Sequence, residues 1–176
     1  ATLQRWGSSR PEGCSGLSRR YSRRMIAPLT LDLPDAEATE ELGKKLAARA
    51  RAGDVILLEG PIGAGKSCLA RAFIRARLGR EEEVPSPTFT LVQVYEADGV
   101  EIWHADLYRL THPDEVWELG LDDAFRTAIS LVEWPDRLGT HVPPRALRLR
   151  LDAAGEGRRA VITGGRDALT KGLANG

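Results

Sequence analysis

Cysteine is scarce in this sequence, with two residues at Cys14 and Cys68, and this scarcity excludes a disulfide framework and a cysteine-based metal site. Such sparing use of thiols is typical of a reducing compartment, so we predict a cytoplasmic location. Long apolar runs are missing as well: no window approaches the roughly 20 consecutive apolar residues of a transmembrane helix, which argues against a membrane span. Net charge is also absent, because 25 Lys and Arg balance 25 Asp and Glu. The sequence therefore lacks the overall excess of positive charge with which many proteins bind nucleic acid.

The first 24 residues differ in charge from the rest of the chain, because they contain six arginines and a single acidic residue, Glu12. They are rich in Arg, Ser and Gly and have no apolar core, which excludes a secretory signal peptide. We interpret residues 1–24 as a disordered basic tail or as an extension upstream of a natural start at Met25. A transit peptide and a tRNA-binding arm are the alternatives for this segment.

Hydrophobic periodicity predicts one α/β domain over residues 25–164, followed by a C-terminal tail over residues 165–176 with one short helix. Helices are predicted at residues 36–50, 66–78, 113–119 and 121–127. Strands are predicted at residues 29–33, 55–58, 88–95, 100–105, 129–132, 146–151 and 159–163. The Asp98-Gly99 pair predicts a hairpin between two of these strands. The continuous apolar runs at 55–58 and 129–132 are typical of buried central strands.

A glycine-rich loop lies between the predicted strand at 55–58 and the predicted helix at 66–78. It matches G-x-x-x-x-G-K-[ST] at every fixed position and comprises Gly60, Pro61, Ile62, Gly63, Ala64, Gly65, Lys66 and Ser67. Glycines let backbone N–H groups approach phosphate oxygens, and the following helix directs its positive end at the same anion. Lys66 supplies a charge for the β- and γ-phosphates, and Ser67 supplies a hydroxyl for Mg²⁺. Strand, loop and helix together predict a P-loop NTPase-like three-layer α/β sandwich with a mixed central sheet that includes antiparallel strands.

Two acidic residues follow predicted strands and are candidates to complete a magnesium site. Asp106 follows the strand at 100–105, and Glu133 follows the strand at 129–132. Acidic side chains at strand ends of an α/β sheet face the crevice where ligands bind, and Mg²⁺ takes oxygen ligands. Either residue could instead orient the attacking water, and the pattern does not rank them. No N-K-x-D base-reading motif occurs in the sequence, so ATP is favoured over GTP.

Further motifs follow the loop in a specific order. They are Ser86-Pro87-Thr88-Phe89, His104-Ala105-Asp106-Leu107-Tyr108-Arg109, Glu133-Trp134-Pro135 and Gly157-Arg158. With these motifs the chain resembles the TsaE (YjeE) family of P-loop ATPases over about residues 31–161. The resemblance implies an ATP hydrolase that acts with TsaB and TsaD, which attach a threonylcarbamoyl group to the adenosine beside the anticodon of tRNA. It also implies that the ATPase is weak alone, is stimulated by these partners, and resets the TsaB–TsaD complex between turnovers.

The resemblance implies roles for the residues that match the family's motifs. Lys66 would bind phosphate, while Ser67 and Glu133 would hold Mg²⁺. Asp106 would support the metal or the attacking water. His104 is not assigned a catalytic role, because a histidine beside a strand end is commonly a hydrogen-bonded structural residue; contact with the partner or with a switch segment is the alternative.

The edge of the implied nucleotide site has further candidates. Thr39 and Arg158 would line the nucleotide, and the nucleotide-binding set extends to Cys68 in the first turn of the predicted helix. Trp134 would form an aromatic wall beside the nucleotide, with a place in the core as the alternative. The Ser86-Pro87-Thr88-Phe89 segment is similar to a switch that senses the γ-phosphate, with a rigid turn as the alternative.

Two other functions remain open at this point. A P-loop small-molecule kinase usually carries an arginine-rich lid that closes over the phosphates, but residues 81–83 after the predicted helix are all glutamate. The second is a nucleotide-dependent interaction module that hydrolyses little nucleotide, a hypothesis that overlaps with the ATPase. Phosphate transfer to a metabolite would identify the kinase, whereas weak hydrolysis stimulated by TsaB–TsaD would identify the ATPase.

Overall fold

The computed structural model of the chain describes residues 27–174. Its strands are β1 Leu29–Leu33, β2 Val55–Glu59, β3 Val92–Ala97, β4 Val100–Asp106, β5 Ile129–Glu133, β6 Leu147–Ala154 and β7 Gly157–Gly164. Its α-helices are α1 Ala36–Ala47, α2 Lys66–Leu78, α3 Glu115–Glu118, α4 Leu121–Thr127 and α5 Asp167–Thr170, and a 3₁₀ helix spans Pro135–His141. Most elements therefore fall where the hydrophobic pattern predicts them. The predicted basic segment 1–24 lies outside the described residues.

The strands form one mixed sheet in the order β1-β7-β6-β2-β5-β4-β3. The four central strands β6, β2, β5 and β4 run parallel to one another. The flanking strands β3 and β7 pair antiparallel with β4 and β6. Because the carboxyl ends of parallel strands meet at one edge, the residues after β2, β5 and β4 lie side by side. The register pairs Leu58 with Glu133, and Glu133 with Asp106. The functional candidates from three separate parts of the sequence are thereby brought to one edge.

Helices cover both faces of this sheet. On one face, α1 and α2 pack on a core that includes Leu46, Ile56 and Phe73, all fully buried. On the other face, α4 and the 3₁₀ helix cover a second core that includes Leu57 and Leu121. The continuous apolar runs of β2 and β5 are needed because each strand faces a helical layer on both sides. The predicted α/β sandwich with a mixed sheet is confirmed.

Several predicted boundaries are wrong, and β6, for example, extends to Ala154 rather than to residue 151. Helix α1 ends at Ala47, not at residue 50, because the next turn is irregular: Arg49 and Ala50 both donate their N–H groups to the Leu46 carbonyl. The Arg77 guanidinium donates to the carbonyls of Ala47 and Ala50 at 3.4 and 3.5 Å beyond this end. Helix α3 has four residues, fewer than the seven predicted at 113–119. Strand β3 begins at Val92 rather than at residue 88, because the Leu91 N–H donates to the Pro87 carbonyl at 2.7 Å and closes a turn.

The segment after Gly164, predicted as a C-terminal tail with one short helix, packs on the molecule. Helix α5 places Leu169 in the core on the side of α1 and α2, and Leu173 is buried in the same cluster. Arg166 donates to both carboxylate oxygens of the buried Asp54. Residues 165–174 therefore belong to the folded body. Across residues 27–174, every helix is too short or too polar to traverse a lipid bilayer.

Candidate nucleotide-binding site

The glycine-rich loop connects the end of β2 to the start of α2. Gly60, Gly63 and Gly65 all have positive φ values, of 134°, 79° and 103°. A side chain at Gly60 would also collide with the carbonyl oxygen of Leu151 on β6, so this position accepts only glycine. Gly65 precedes α2 without any side-chain cap, which leaves the first N–H groups of a 13-residue helix directed at the loop. The backbone therefore forms a concavity of the kind that commonly binds anions.

Lys66 occupies the inner side of this loop. Its ammonium donates to the carbonyls of Gly60 and Pro61, both at 2.8 Å, and lies 4.2 Å from the ring centroid of Trp134. Burial lowers the pKa of Lys66 from its ordinary value, and the negative charges of Glu133 and Asp106 oppose that shift. The lysine therefore presents a poorly solvated cation at the centre of the concavity, where a phosphate would compensate its charge.

Glu133 links the loop helix to the neighbouring strand. Its Oε2 accepts a hydrogen bond from the Ser67 hydroxyl at 2.9 Å, and its Oε1 lies 2.9 Å from His104 Nε2. Glu133 and His104 are almost completely buried, at 2% and 1% exposure. A buried carboxylate that touches the P-loop hydroxyl is placed to share a magnesium ion with it.

Asp106 has different partners although it is the register neighbour of Glu133. Its Oδ2 accepts hydrogen bonds from the hydroxyls of Ser86 and Thr88, at 3.3 and 3.2 Å, and its Oδ1 accepts from the Tyr108 N–H at 3.1 Å. The Ser-Pro-Thr-Phe segment is therefore attached to the end of β4 through this one carboxylate. The structure therefore distinguishes the two acids by their partners: Glu133 contacts the P-loop serine, whereas Asp106 contacts the Ser-Pro-Thr-Phe segment.

Aromatic residues surround the mouth of the loop. Trp134 follows Glu133 with a positive φ of 61°, and its ring packs at 5.0 Å against Tyr108. Phe89 is 83% exposed, and the Arg109 guanidinium lies 4.4 Å from its ring centroid. Trp134 is half-buried, lies over the loop lysine and also packs against the second core, so its role as an aromatic wall beside the nucleotide stays a prediction.

Thr39, Cys68 and Arg158 lie on the α1 side of the loop. A side chain at Gly65 would meet the Arg158 Nε at 3.0 Å and the Thr39 methyl at 3.5 Å, so both residues flank the loop. The Thr39 hydroxyl donates to the Asp35 carbonyl at 3.2 Å. Burial raises the pKa of the Cys68 thiol, and Glu40 raises it further. These three residues adjoin the loop, and their contact with nucleotide stays a prediction.

The residues present fit a magnesium–nucleotide complex. Ser67, Glu133 and Asp106 supply hard oxygen donors beside an anion-binding loop. No group of three or more His, Cys, Asp or Glu side chains within residues 27–174 forms a metal site of its own. Mg²⁺ bound with substrate phosphates commonly takes only one or two carboxylates and fills the remaining positions with phosphate oxygens and water. The donor set therefore suits a metal that arrives with the nucleotide.

The sheet order, the loop and its flanking helices define an α/β protein with a P-loop NTPase-like fold. The family model for "Threonylcarbamoyl adenosine biosynthesis protein TsaE" matches residues 33–161. The chain belongs to the TsaE family, as the motifs predicted.

Relatives support this membership. The tRNA threonylcarbamoyladenosine biosynthesis protein TsaE of Rickettsia conorii is 36% identical over 133 residues, which cover 74% of this chain and 76% of that protein. The protein of the same name from Bacillus subtilis is 36% identical over 126 residues, covering 71% and 78%. A crystal structure of YdiB from Bacillus subtilis superposes with a TM-score of 0.68 at 27% identity, over 85% of this chain and 95% of that one.

Proposed function

We propose that this protein binds and hydrolyses ATP with Mg²⁺ in support of the TsaB–TsaD complex during threonylcarbamoylation of the adenosine beside the anticodon of tRNA. One observation carries the ATPase part: the hydroxyl of the P-loop residue Ser67 is hydrogen-bonded to Glu133, the buried acid at the end of the neighbouring strand. The role in tRNA modification rests on membership of the TsaE family and on the names of its relatives.

Each residue of the site has a role that follows from its position. The N–H groups at the start of α2 and the Lys66 ammonium hold the phosphates. Ser67 and Glu133 would hold Mg²⁺, which when bound neutralises negative charge on the β- and γ-phosphates. Trp134 covers the lysine and excludes water from one side of the loop.

Asp106 is assigned to the attacking water together with the Ser86–Thr88 hydroxyls that it binds. Its carboxylate lies one strand away from Glu133 and already orients two hydroxyl groups. A carboxylate can accept about four hydrogen bonds, so Asp106 retains capacity for a water molecule. If Asp106 orients the attacking water, the same contacts would connect the segment to the γ-phosphate, as expected of a switch.

The test measures phosphate release from ATP by the full chain, alone and with purified TsaB and TsaD. We expect weak hydrolysis that rises when both partners are present. Ser67→Ala should reduce Mg²⁺-dependent hydrolysis by about 100-fold, because it removes a metal ligand. Thr127→Ala is the matched control, since it removes a hydroxyl at the end of α4 whose hydrogen bond goes to Asp123.

The outcomes separate the candidate functions. Hydrolysis that the partners leave unchanged would contradict the assignment to tRNA modification while keeping the ATPase. Labelled phosphate transferred to a small metabolite would identify the kinase instead. Failure of the wild-type protein to bind ATP would overturn the whole proposal.

A further inference from the structure

His104 lies on β4 in the layer between the sheet and α2, and it is only 1% exposed. Its Nε2 lies 2.9 Å from Glu133 Oε1. Its Nδ1 is buried and has no hydrogen-bond partner within the described part of the chain. The imidazole therefore makes one polar contact, and that contact is with the carboxylate that touches the P-loop serine.

The direction of this hydrogen bond follows from the chemistry of its two atoms. A carboxylate oxygen accepts hydrogen bonds, so a short approach to an imidazole nitrogen requires the proton to be on that nitrogen. His104 thus donates from Nε2 to Glu133. Its Nδ1 then presents a buried lone pair that has no partner within residues 27–174, which is less costly than burying an unpaired N–H donor there.

Packing alone does not account for a histidine at this position. His104 is the register neighbour of the buried Leu131 on β5 and of Gln93 on β3. A leucine would fill such a place without an unpaired buried nitrogen, so the histidine carries an energetic penalty that an apolar residue avoids. What the histidine adds is the donor directed at Glu133.

We propose that His104 is a positioning residue that fixes the Glu133 carboxylate so that its second oxygen is directed at Ser67 and at the metal they share. This inference rests on the proposed function. With Oε1 held by His104 and Oε2 by Ser67, the plane of the carboxylate is defined from both ends. Partners of this kind orient metal-ligating groups, and their removal typically weakens metal affinity or activity by about 10- to 100-fold.

The experiment measures ADP binding by titration calorimetry without metal and at increasing Mg²⁺. For His104→Leu we expect metal-free ADP affinity to stay within about twofold of wild type. The Mg²⁺ concentration that gives half of the metal-dependent gain should rise about tenfold. His141→Leu is the control, because His141 Nε2 makes a contact of the same 2.9 Å length with the carboxylate of Asp114, whose side chain is 67% exposed.

A second pair of variants tests the donor without an apolar substitution, and it decides the matter if His104→Leu does not fold. The amide nitrogen of glutamine reaches about as far as Nε2, whereas that of asparagine reaches only about as far as Nδ1. We therefore expect His104→Gln to keep the wild-type Mg²⁺ requirement and His104→Asn to raise it.

Two outcomes contradict the inference in different ways. If wild type shows the Mg²⁺ gain but His104→Leu and His104→Asn leave it unchanged, the positioning role is wrong and the proposed ATPase remains. If wild type itself shows no Mg²⁺-dependent nucleotide binding, both the proposed function and this inference are wrong.

Discussion

At the scale of single residues, the charge of Lys66 has opposite effects on function and stability, because it favours phosphate binding but its burial is unfavourable. The ammonium is buried, and its pKa is lowered by that burial. We expect Lys66→Met to weaken ATP binding by about 100-fold, because it removes a charge-assisted contact with phosphate. The same change should raise the melting temperature of the nucleotide-free protein, since an apolar side chain needs no compensating charge.

The stability difference between Lys66→Met and wild type should change with pH in a definite direction. A lysine whose folded-state pKa is below its unfolded value destabilises the fold while it is charged, and the penalty disappears as pH rises through the window between the two values. The stability gain of Lys66→Met over wild type should therefore be largest near pH 7 and should shrink toward about pH 10. Urea denaturation at several pH values measures it, and a gain that grows with pH would contradict the interpretation.

At the scale of elements, the 86–91 segment is held at the end of β4 by the Asp106 carboxylate and by a backbone hydrogen bond from the Asp106 N–H to the Leu91 carbonyl. The Thr88 hydroxyl donates to Asp106, and Leu91 holds a positive φ of 63° to close the turn. Thr88→Val keeps the shape of the side chain and removes the donor. We expect hydrogen exchange of peptides covering residues 86–91 to accelerate about tenfold, because a hydrogen bond to a charged group contributes about 1.5 kcal/mol.

The matched control for this segment is Thr111→Val, which removes a hydroxyl donor to the Glu115 carboxylate in another loop. Its effect should stay in peptides around residue 111. Unchanged exchange at residues 86–91 in Thr88→Val would mean that the Thr88 hydrogen bond does not hold the segment, which the Ser86 contact with Asp106 and the backbone hydrogen bonds then suffice to fix. In that case a rigid turn, rather than a switch controlled by the Thr88 contact, would describe the segment.

The elements also show which features local sequence can predict. Strands β2 and β5 and helix α2 carry their own hydrophobic patterns, and the Asp98-Gly99 turn has the positive φ values that its residues favour. The late start of β3 and the contact of His104 with Glu133 could not be predicted in the same way. The late start of β3 follows from the turn that the Leu91 N–H closes with the Pro87 carbonyl, which an alternating apolar pattern does not reveal. The contact of His104 depends on a partner 29 residues away, which the pairing of β4 with β5 brings close.

At the scale of the whole molecule, an ion pair joins the C-terminal residues to the N-terminal half of the chain. Arg166 donates from Nε and Nη2 to both oxygens of Asp54 at 2.8 and 2.6 Å, and Nη2 also donates to the Arg49 carbonyl at 2.7 Å. The Asp54 carboxylate is 9% exposed. This ion pair joins residues 112 apart in the sequence, next to the turn that leads into β2.

We expect Arg166→Ala to lower the free energy of unfolding by about 2 kcal/mol, because it leaves a buried carboxylate with one fewer charged partner. Arg166→Lys should recover only part of the loss, since an ammonium lacks the two-pronged geometry of the guanidinium. Arg150→Ala is the matched control, because its two hydrogen bonds go to the exposed Asp152 two residues away, and it should leave stability almost unchanged. Equal losses from Arg166→Ala and Arg150→Ala in urea denaturation would show that the Asp54 pair adds nothing beyond a surface contact. A loss confined to Arg166→Ala would show that residues 165–174 stabilise the same cooperative unit that holds the P-loop.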